Sequence, residues 1–476
     1  MLGRVGTKIL PILCGKILVI QLFTPICSVR DVIFAGRFAR DAIFQLEVFN
    51  HEANDEVIAY DCTEEPIVIT GVGMTASVGR DRESVWHAVR QGKSGVRRVR
   101  GLRGIPDDLL LGATVDLDVP PGRLKAIPLS RIAADEAMRD AGIDLRLVDL
   151  NRFGCNISGH MGDSSWVDQE QGFIPRNDPR RFPWWEQFLP NMACVEIANR
   201  YGLAGPRASY STACATSLIA VMSAFRAIRD NQCDVAIAGG ADAIDPLFAA
   251  GFRRMRVLAD DDDPTRACRP FDRNRHGFVM GEGAAMMIVE RLSHAQRRGA
   301  KIYAEIKACK AMAEAHHVTG LNADSEALTY LITETLRKAG LRPGDIGYIN
   351  AHGTGTHQND LVEMRAIRHA LGPAADRVCV SSTKAILGHM INAAGGVELA
   401  VTVMAMRDGF APPTLNLTDP DPELTFDCLP LVGRRNQFQH ALKLSVAFGG
   451  HLVAIALSRW NDPTSGFAYP GEMKVA

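Results

Sequence analysis

The sequence predicts an α/β protein with a mostly parallel, doubly covered sheet in which one unit occurs twice. Short apolar runs alternate with longer runs of helical periodicity, and the same order of elements restarts after Gly299. A third observation agrees: 43 glycines beside only 7% aromatic residues suit tight turns and close backbone approaches. In the first unit Ile67–Thr70 is a strand, Gly71–Gly79 a small-residue loop and Glu83–Arg90 a helix. Helix Ser130–Ala141, strand Phe153–Ser158, helix Asn191–Tyr201, strand Ser209–Ala213, helix Ala215–Arg229 and strand Asp234–Gly239 follow. The second unit runs strand Tyr303–Lys307, helix Ser325–Ala339, strand Ile346–Ala351, helix Leu361–Leu371, strand Val378–Ser382 and helix Gly388–Arg407. It closes with strands Ala441–Ala447 and Leu452–Ser458. The expected organisation is an N-terminal extension (1–65), two halves (66–300 and 301–460) and a tail (461–476).

At 476 residues, with 47% hydrophobic and 22% charged content, the chain can bury a large core, which excludes disordered and collagen-like classes. Lys+Arg at 53 against Asp+Glu at 54 leaves a net charge of -1, so no global basic field is available for nucleic acid. An acidic partner must meet a local patch. The 11 cysteines are scattered, with no CxxC pair and no Cys/His cluster at zinc spacing. That odd count suits a reduced, cytoplasmic protein whose thiols are mostly buried packing. Residues 9–26 are apolar but carry Lys16, Gln21 and Pro25, and six Lys/Arg against one acid occupy the first 40 positions. The apolar run falls short of the ~20 residues of a membrane span. A membrane-associating arm, a targeting peptide and sequence upstream of the true start are its three readings.

Three junctions carry chemistry. Ser209-Tyr-Ser-Thr-Ala-Cys-Ala-Thr-Ser217 puts Cys214 where a strand ends and a long helix begins. Unpaired N–H groups and the positive dipole end there favour thiolate, and the small neighbours permit the sharp turn of a nucleophile elbow. Asn350-Ala-His-Gly-Thr-Gly-Thr356 places His352 just past a strand, at the sheet edge where ligands gather, in a loop that apolar packing does not explain. Ser381-Ser-Thr-Lys-Ala-Ile-Leu-Gly-His-Met390 puts His389 at another strand-to-helix junction, with Lys384 five residues before it.

STACATS around Cys214, NAHGTGT around His352 and SSTKAILGHMINAAGG around Lys384 and His389, in this order, resemble the β-ketoacyl-acyl-carrier-protein synthases. These are the elongating Cys-His-His condensing enzymes of fatty-acid and polyketide synthesis. The resemblance runs from Pro66 to about Trp460 and includes ITGVGMTASVG, LPNMA, RPFDRNRHGFVMGEG and AFGG; residues before Pro66 have no counterpart. It implies a thiolase-like, duplicated five-layered αβαβα pseudo-dimer that catalyses decarboxylative Claisen condensation. An acyl group on Cys214 would condense with malonyl carrier protein to give 3-oxoacyl carrier, carbon dioxide and free carrier.

By the same resemblance, the backbone N–H groups of Cys214 and Phe448 form the oxyanion hole, and His352 and His389 stabilise the enolate. Lys384 is the buried lysine that orients the site, paired with Glu398 because an unpaired buried ammonium would cost several kcal/mol. Thr354, Thr356 and Thr319 would hydrogen-bond the phosphopantetheine arm. Arg256, in Arg253-Arg-Met-Arg256, would help dock an acidic carrier protein. The resemblance implies a homodimer, no metal and no resident cofactor, since the arm belongs to the carrier.

Family members commonly read asparagine-serine-phenylalanine-glycine before Phe-Gly-Gly and threonine-asparagine after it. This chain reads Leu444-Ser-Val-Ala447 and His451-Leu452, and His160, like Phe448, falls at an acyl-pocket gate where an apolar residue is usual. These departures point to a specialised primer. The segment Trp166–Trp185 resembles a family-variable cap over the dimer interface. Among rival classes, a chain-length partner subunit lacks the nucleophilic cysteine, a thiolase needs a second cysteine in a C-terminal glycine loop, and initiating synthases replace one histidine by asparagine. A non-elongating acyltransferase and a chain-length partner subunit of a specialised polyketide-type system are the alternatives kept, the second disfavoured by Cys214.

Overall fold

The computed structural model describes residues 65–102, 104–159 and 163–460. The expected extension up to residue 64, the tail from 461 and the gate residue His160 lie outside the described residues. Ten strands form one sheet: β1 (Ile67–Ala76), β2 (Phe153–Ser158), β3 (Arg207–Ala208), β4 (Val235–Asp242), β5 (Gly283–Arg291), β6 (Ala304–Ala313), β7 (Ile346–Asn350), β8 (Cys379–Ser381), β9 (His440–Ala447) and β10 (His451–Arg459). Their spatial order is β3-β2-β4-β5-β1-β6-β10-β9-β7-β8. Each set of five therefore repeats one order, and the first strands of the two sets meet through a short antiparallel pairing of Val68 with Glu305 and Ile69 with Ala304.

The sheet is mixed, which corrects the mostly parallel expectation. β2 pairs parallel with β3 and β4, and β7 with β8 and β9, whereas the pairings from β4 through the centre to β9 are antiparallel. The reason lies in the connections. β9 returns as β10 through the three residues Phe448–Gly450, and so short a link can join only antiparallel neighbours. β5, absent from the sequence expectation, inserts antiparallel between β4 and β1.

Helices α1 (Ala126–Ala141) and α2 (Met192–Tyr201) cover the outer face of the first strand set. The middle layer is α3 (Thr216–Arg229) with α6 (Ala394–Asp408), both touching strands of the two sets. On the far side lies α4 (Glu326–Ala339), with α5 (His357–Leu371) packed on it, which completes five layers. Every residue of α6 from Ala394 to Met406 is buried, the fate of a helix without a polar face.

Glycines set two close approaches. Gly71 and Gly73 belong to β1 and not to a loop; a Cβ on Gly73 would stand 1.9 Å from the Ala133 carbonyl oxygen of α1. At the start of α6, Cβ atoms on Gly395 and Gly396 would come within 2.9 Å of Leu218 and 3.1 Å of Ser217. The N-terminal ends of α3 and α6 thus abut, and this brings together the segments that precede them.

Candidate active site

Cys214 lies in the segment preceding α3. β3 stops at Ala208, so none of the expected strand Ser209–Ala213 is strand, and Cys214 occupies the middle of a 3-10 turn, Ala213–Ala215. Ala213 has φ +46°, a left-handed conformation that costs a non-glycine residue about 1–3 kcal/mol and makes the sharp bend. His352 follows β7 by two residues. Glu363 of α5 holds its loop, accepting from the His352 and Gly353 N–H groups at 2.6 and 2.7 Å. His389 does not open the long helix as expected. It lies between a short helix, Lys384–Leu387, and a 3-10 turn, Ile391–Ala393. Its backbone is pinned from both sides, N–H to Val279 O at 2.7 Å and O from Gly281 N–H at 2.9 Å.

These placements converge. Cys214 Sγ is 3.0 Å from His389 Nε2, and the imidazoles of His352 and His389 face each other nearly perpendicular with centroids 5.4 Å apart. The sulfur and one nitrogen from each ring all lie within 4.8 Å of one another. All three residues are buried, and they line a cavity of about 160 Å³ with Phe252, Phe278, Thr319, Thr354, Thr356 and Phe448. Among the described residues this trio has metal-ligand spacing, but two buried ammonium groups behind the imidazoles oppose a dication.

Burial sets the protonation. It pushes the Cys214 thiol up to about 12 against the opposing field of Lys384, so the resting group is a thiol. This corrects the thiolate expectation: desolvation outweighs the helix end. Burial first, then the Lys384 ammonium, hold His352 well below the usual histidine range, and burial with Lys384 and Lys443 does the same for His389. Both rings are neutral near pH 7.

Lys384 is fully buried, ion-paired to Glu398, hydrogen-bonded to the His352 carbonyl and 3.3 Å from His352 Nδ1. An ammonium has no lone pair, so Nδ1 is the acceptor and the His352 hydrogen lies on Nε2. His389 Nδ1 has no hydrogen-bond partner among the described residues. In the resting state the Cys214 thiol donates to Nε2, which places the ring hydrogen on Nδ1; because Nδ1 has no such partner, Nε2 can carry the hydrogen instead once the sulfur is acylated.

Thr354 and Thr356 bond to each other through their hydroxyls at 2.8 Å, whereas Thr319 is exposed at the cavity rim beside His317. Phe448 opens the hairpin turn between β9 and β10, and the turn is held by Gly449 N–H to Val318 O at 2.7 Å. Arg256 is exposed just past helix Pro246–Arg254 and does not line the cavity, although its neighbour Val257 does. Two groups escaped the sequence expectation: Glu363, which burial pushes up to about 7, and Lys443 on β9, 2.7 Å from Glu398 Oε2. Lys443 alternates with Leu442 and Leu444, a pattern that mimics a solvent-facing strand position.

A buried thiol one hydrogen bond from an imidazole can serve as an acyl-accepting nucleophile, and the duplicated five-layer α/β scaffold that carries it is of thiolase-like architecture. The family model described as "Beta-ketoacyl synthase, N-terminal domain" matches residues 64–120 and 125–295, and that described as "Beta-ketoacyl synthase, C-terminal domain" matches 303–418. The chain belongs to the β-ketoacyl synthase family and is a condensing acyltransferase. It is 35% identical to the tetracenomycin polyketide synthase ketoacyl synthase alpha subunit of Streptomyces glaucescens, over 84% of this chain and 99% of that protein. It is 36% identical to 3-oxoacyl-[acyl-carrier-protein] synthase 2 of Coxiella burnetii, over 83% and 99%. Among solved structures, a type II polyketide acyl-carrier protein in complex with its ketosynthase bound to the hexaketide aligns with TM-score 0.78 and 29% identity, over 84% of this chain and 100% of that one. A β-ketoacyl synthase from Burkholderia phymatum aligns with TM-score 0.74 and 28% identity, over 83% and 100%. No helix among the described residues is long and apolar enough to cross a membrane.

Proposed function

We propose that this chain elongates carrier-bound acyl groups by decarboxylative condensation, with residues 66–300 supplying the nucleophile and 301–460 the histidines. The observation that carries the proposal is the 3.0 Å contact between Cys214 Sγ and His389 Nε2, with the His352 ring beside it. In loading, the thiol proton passes to His389 as sulfur attacks the carrier thioester carbonyl. The carbonyl re-forms, the carrier sulfur leaves with a proton, and the acyl group stays on Cys214. Malonyl carrier then loses carbon dioxide. The electron pair of the broken carbon–carbon bond moves into an enolate whose oxygen receives hydrogen bonds from His352 Nε2 and His389 Nε2. The enolate carbon attacks the acyl carbonyl, the oxyanion of the tetrahedral adduct meets the N–H groups of Cys214 and Phe448, and the Cys214 sulfur leaves and takes up a solvent proton to restore the thiol. Every electron pair that moves stays within the reactants, so the reaction calls for no external oxidant or reductant.

Thr354, Thr356 and Thr319 line the cavity where the phosphopantetheine arm would lie, and exposed Arg256 offers a cationic contact to an acidic carrier protein. A specialised primer is supported by Val446 and Ala447, which depart from the common motif and line the same cavity. We also infer a cytoplasmic dimer. Trp185, Phe188 and Leu189 are 62%, 42% and 53% exposed, a surface that a second subunit would cover. That subunit is a copy of this chain or a chain-length factor of the kind paired with a ketosynthase in the ishigamide structure (TM-score 0.75, 27% identity). Intact-mass spectrometry with acyl carriers of graded length tests the proposal. An adduct on Cys214 that malonyl carrier converts to a product two carbons longer supports it; an adduct that persists indicates a non-elongating acyltransferase.

A further inference from the structure

The reaction above leaves Lys443 without a role. It stands on β9 in parallel register with Asn350 of β7, fully buried. Its Nζ lies 2.7 Å from Glu398 Oε2, 3.3 Å from Ala351 O and 3.5 Å from Asn350 O, and it donates to Leu444 O. The other oxygen of Glu398 takes Lys384, so one carboxylate serves two ammonium groups. The strands that Lys443 joins are the two that deliver the chemistry: β7 leads through Ala351 to His352, and β9 runs directly into Phe448. A position that needed only filling would be met by an apolar side chain, without the desolvation penalty of a buried ammonium.

We propose that Lys443 is a second positioning lysine of the condensation site, clamping the His352 strand to the Phe448 strand and adding positive charge behind the imidazoles where the enolate oxygen turns negative. This rests on the Cys-His-His chemistry above. The charged and titratable groups facing Lys443 are Glu398 on α6, Lys384 on the short helix, Glu363 on α5, and the two imidazoles. Burial, opposed by Glu398, brings its ammonium down to about 8. As pH rises through that value the clamp loses a proton and its charge, so decarboxylation slows on the alkaline side.

The test is carbon dioxide release from malonyl carrier by the full-length protein across neutral to alkaline pH, for wild type, Lys443→Met and Lys443→Arg. For folded Lys443→Met, kcat falls about tenfold or more with KM little changed, and the alkaline limb disappears. Lys443→Arg, whose guanidinium stays charged, recovers activity and is flat on the alkaline side. Folded Lys443→Met with wild-type kcat and an unchanged limb overturns the proposal. Should Lys443→Met not fold, the wild-type profile decides: a limb near pH 8 supports the role and a flat profile overturns it. Acyl loading of wild-type Cys214, followed by mass in parallel, separates this outcome from failure of the Cys-His-His chemistry, in which wild type itself does not load.

Discussion

Each half of the fold carries the same backbone device and uses it differently. The 3-10 turn Ala213–Ala215 leads into α3, and the 3-10 turn Ile391–Ala393 leads into α6. Both begin on a non-glycine residue in the left-handed region, Ala213 at φ +46° and Ile391 at +32°. Each turn is seated on the other half's fourth strand, the first against β9 and the second against β4. At the middle of one turn stands Cys214. At the middle of the other stands Asn392, whose N–H is held by Asp242 of β4 at 2.7 Å. The duplicated backbone thus sets the geometry, while the side chains divide the labour: a nucleophile from one half, two imidazoles and a lysine from the other. The site exists only where the halves meet.

The most disruptive way to break that division without touching Cys214 is Glu398→Gln, which leaves Lys384 and Lys443 buried with no anion between them. Removing one partner of a buried ion pair costs about 3–5 kcal/mol, so denaturant unfolding should show a loss of that size. Gly73→Ala strains the first half alone, because the added Cβ meets the Ala133 carbonyl of α1. A destabilisation of about 1–3 kcal/mol is expected, with the specific activity of the folded fraction unchanged.

A gentler probe of the second half is acid. His352 and His389 have folded-state affinities for protons below the ordinary value of 6.5, so below that pH the unfolded chain binds protons that the folded chain refuses. Stability is full above pH 6.5 and falls as pH drops, by up to about 1.4 kcal/mol per unit for each histidine. Glu363, raised to about 7, contributes the opposite sign. The difference between wild type and His389→Gln in pH-dependent unfolding isolates the histidine part, and the variant should show the shallower acid decline.

Cys214, His352 and His389 were legible in the sequence because each sits in a run of small residues at the edge of an apolar segment, a combination that packing alone does not require. The sheet was legible only in part. Its strand repeats emerged, but parallel and antiparallel pairing depend on which strands become neighbours, and β5, an apolar run after Gly281 and Gly283, has no period that separates a buried strand from a buried helix segment. Gly71 and Gly73 read as a loop because the helix that needs them lies some 60 residues away in sequence. Lys443 and Glu363 stayed hidden for a related reason: alternation with leucines on a strand, or a helical acid, looks solvent-facing until the layers on both sides are known. The protonation of Cys214 also depends on burial, which outweighs the local helix end.

The division of labour between the halves is tested most directly by carbon dioxide release from malonyl carrier, measured side by side for Cys214→Ala and His389→Ala. The first, with both imidazoles in place, should form no acyl adduct yet still decarboxylate. The second should decarboxylate about a hundredfold more slowly, the cost of removing one enolate donor. If His389→Ala releases carbon dioxide at the wild-type rate, or if Cys214→Ala is equally inert in both steps, the two halves do not carry separate chemistry and the account fails.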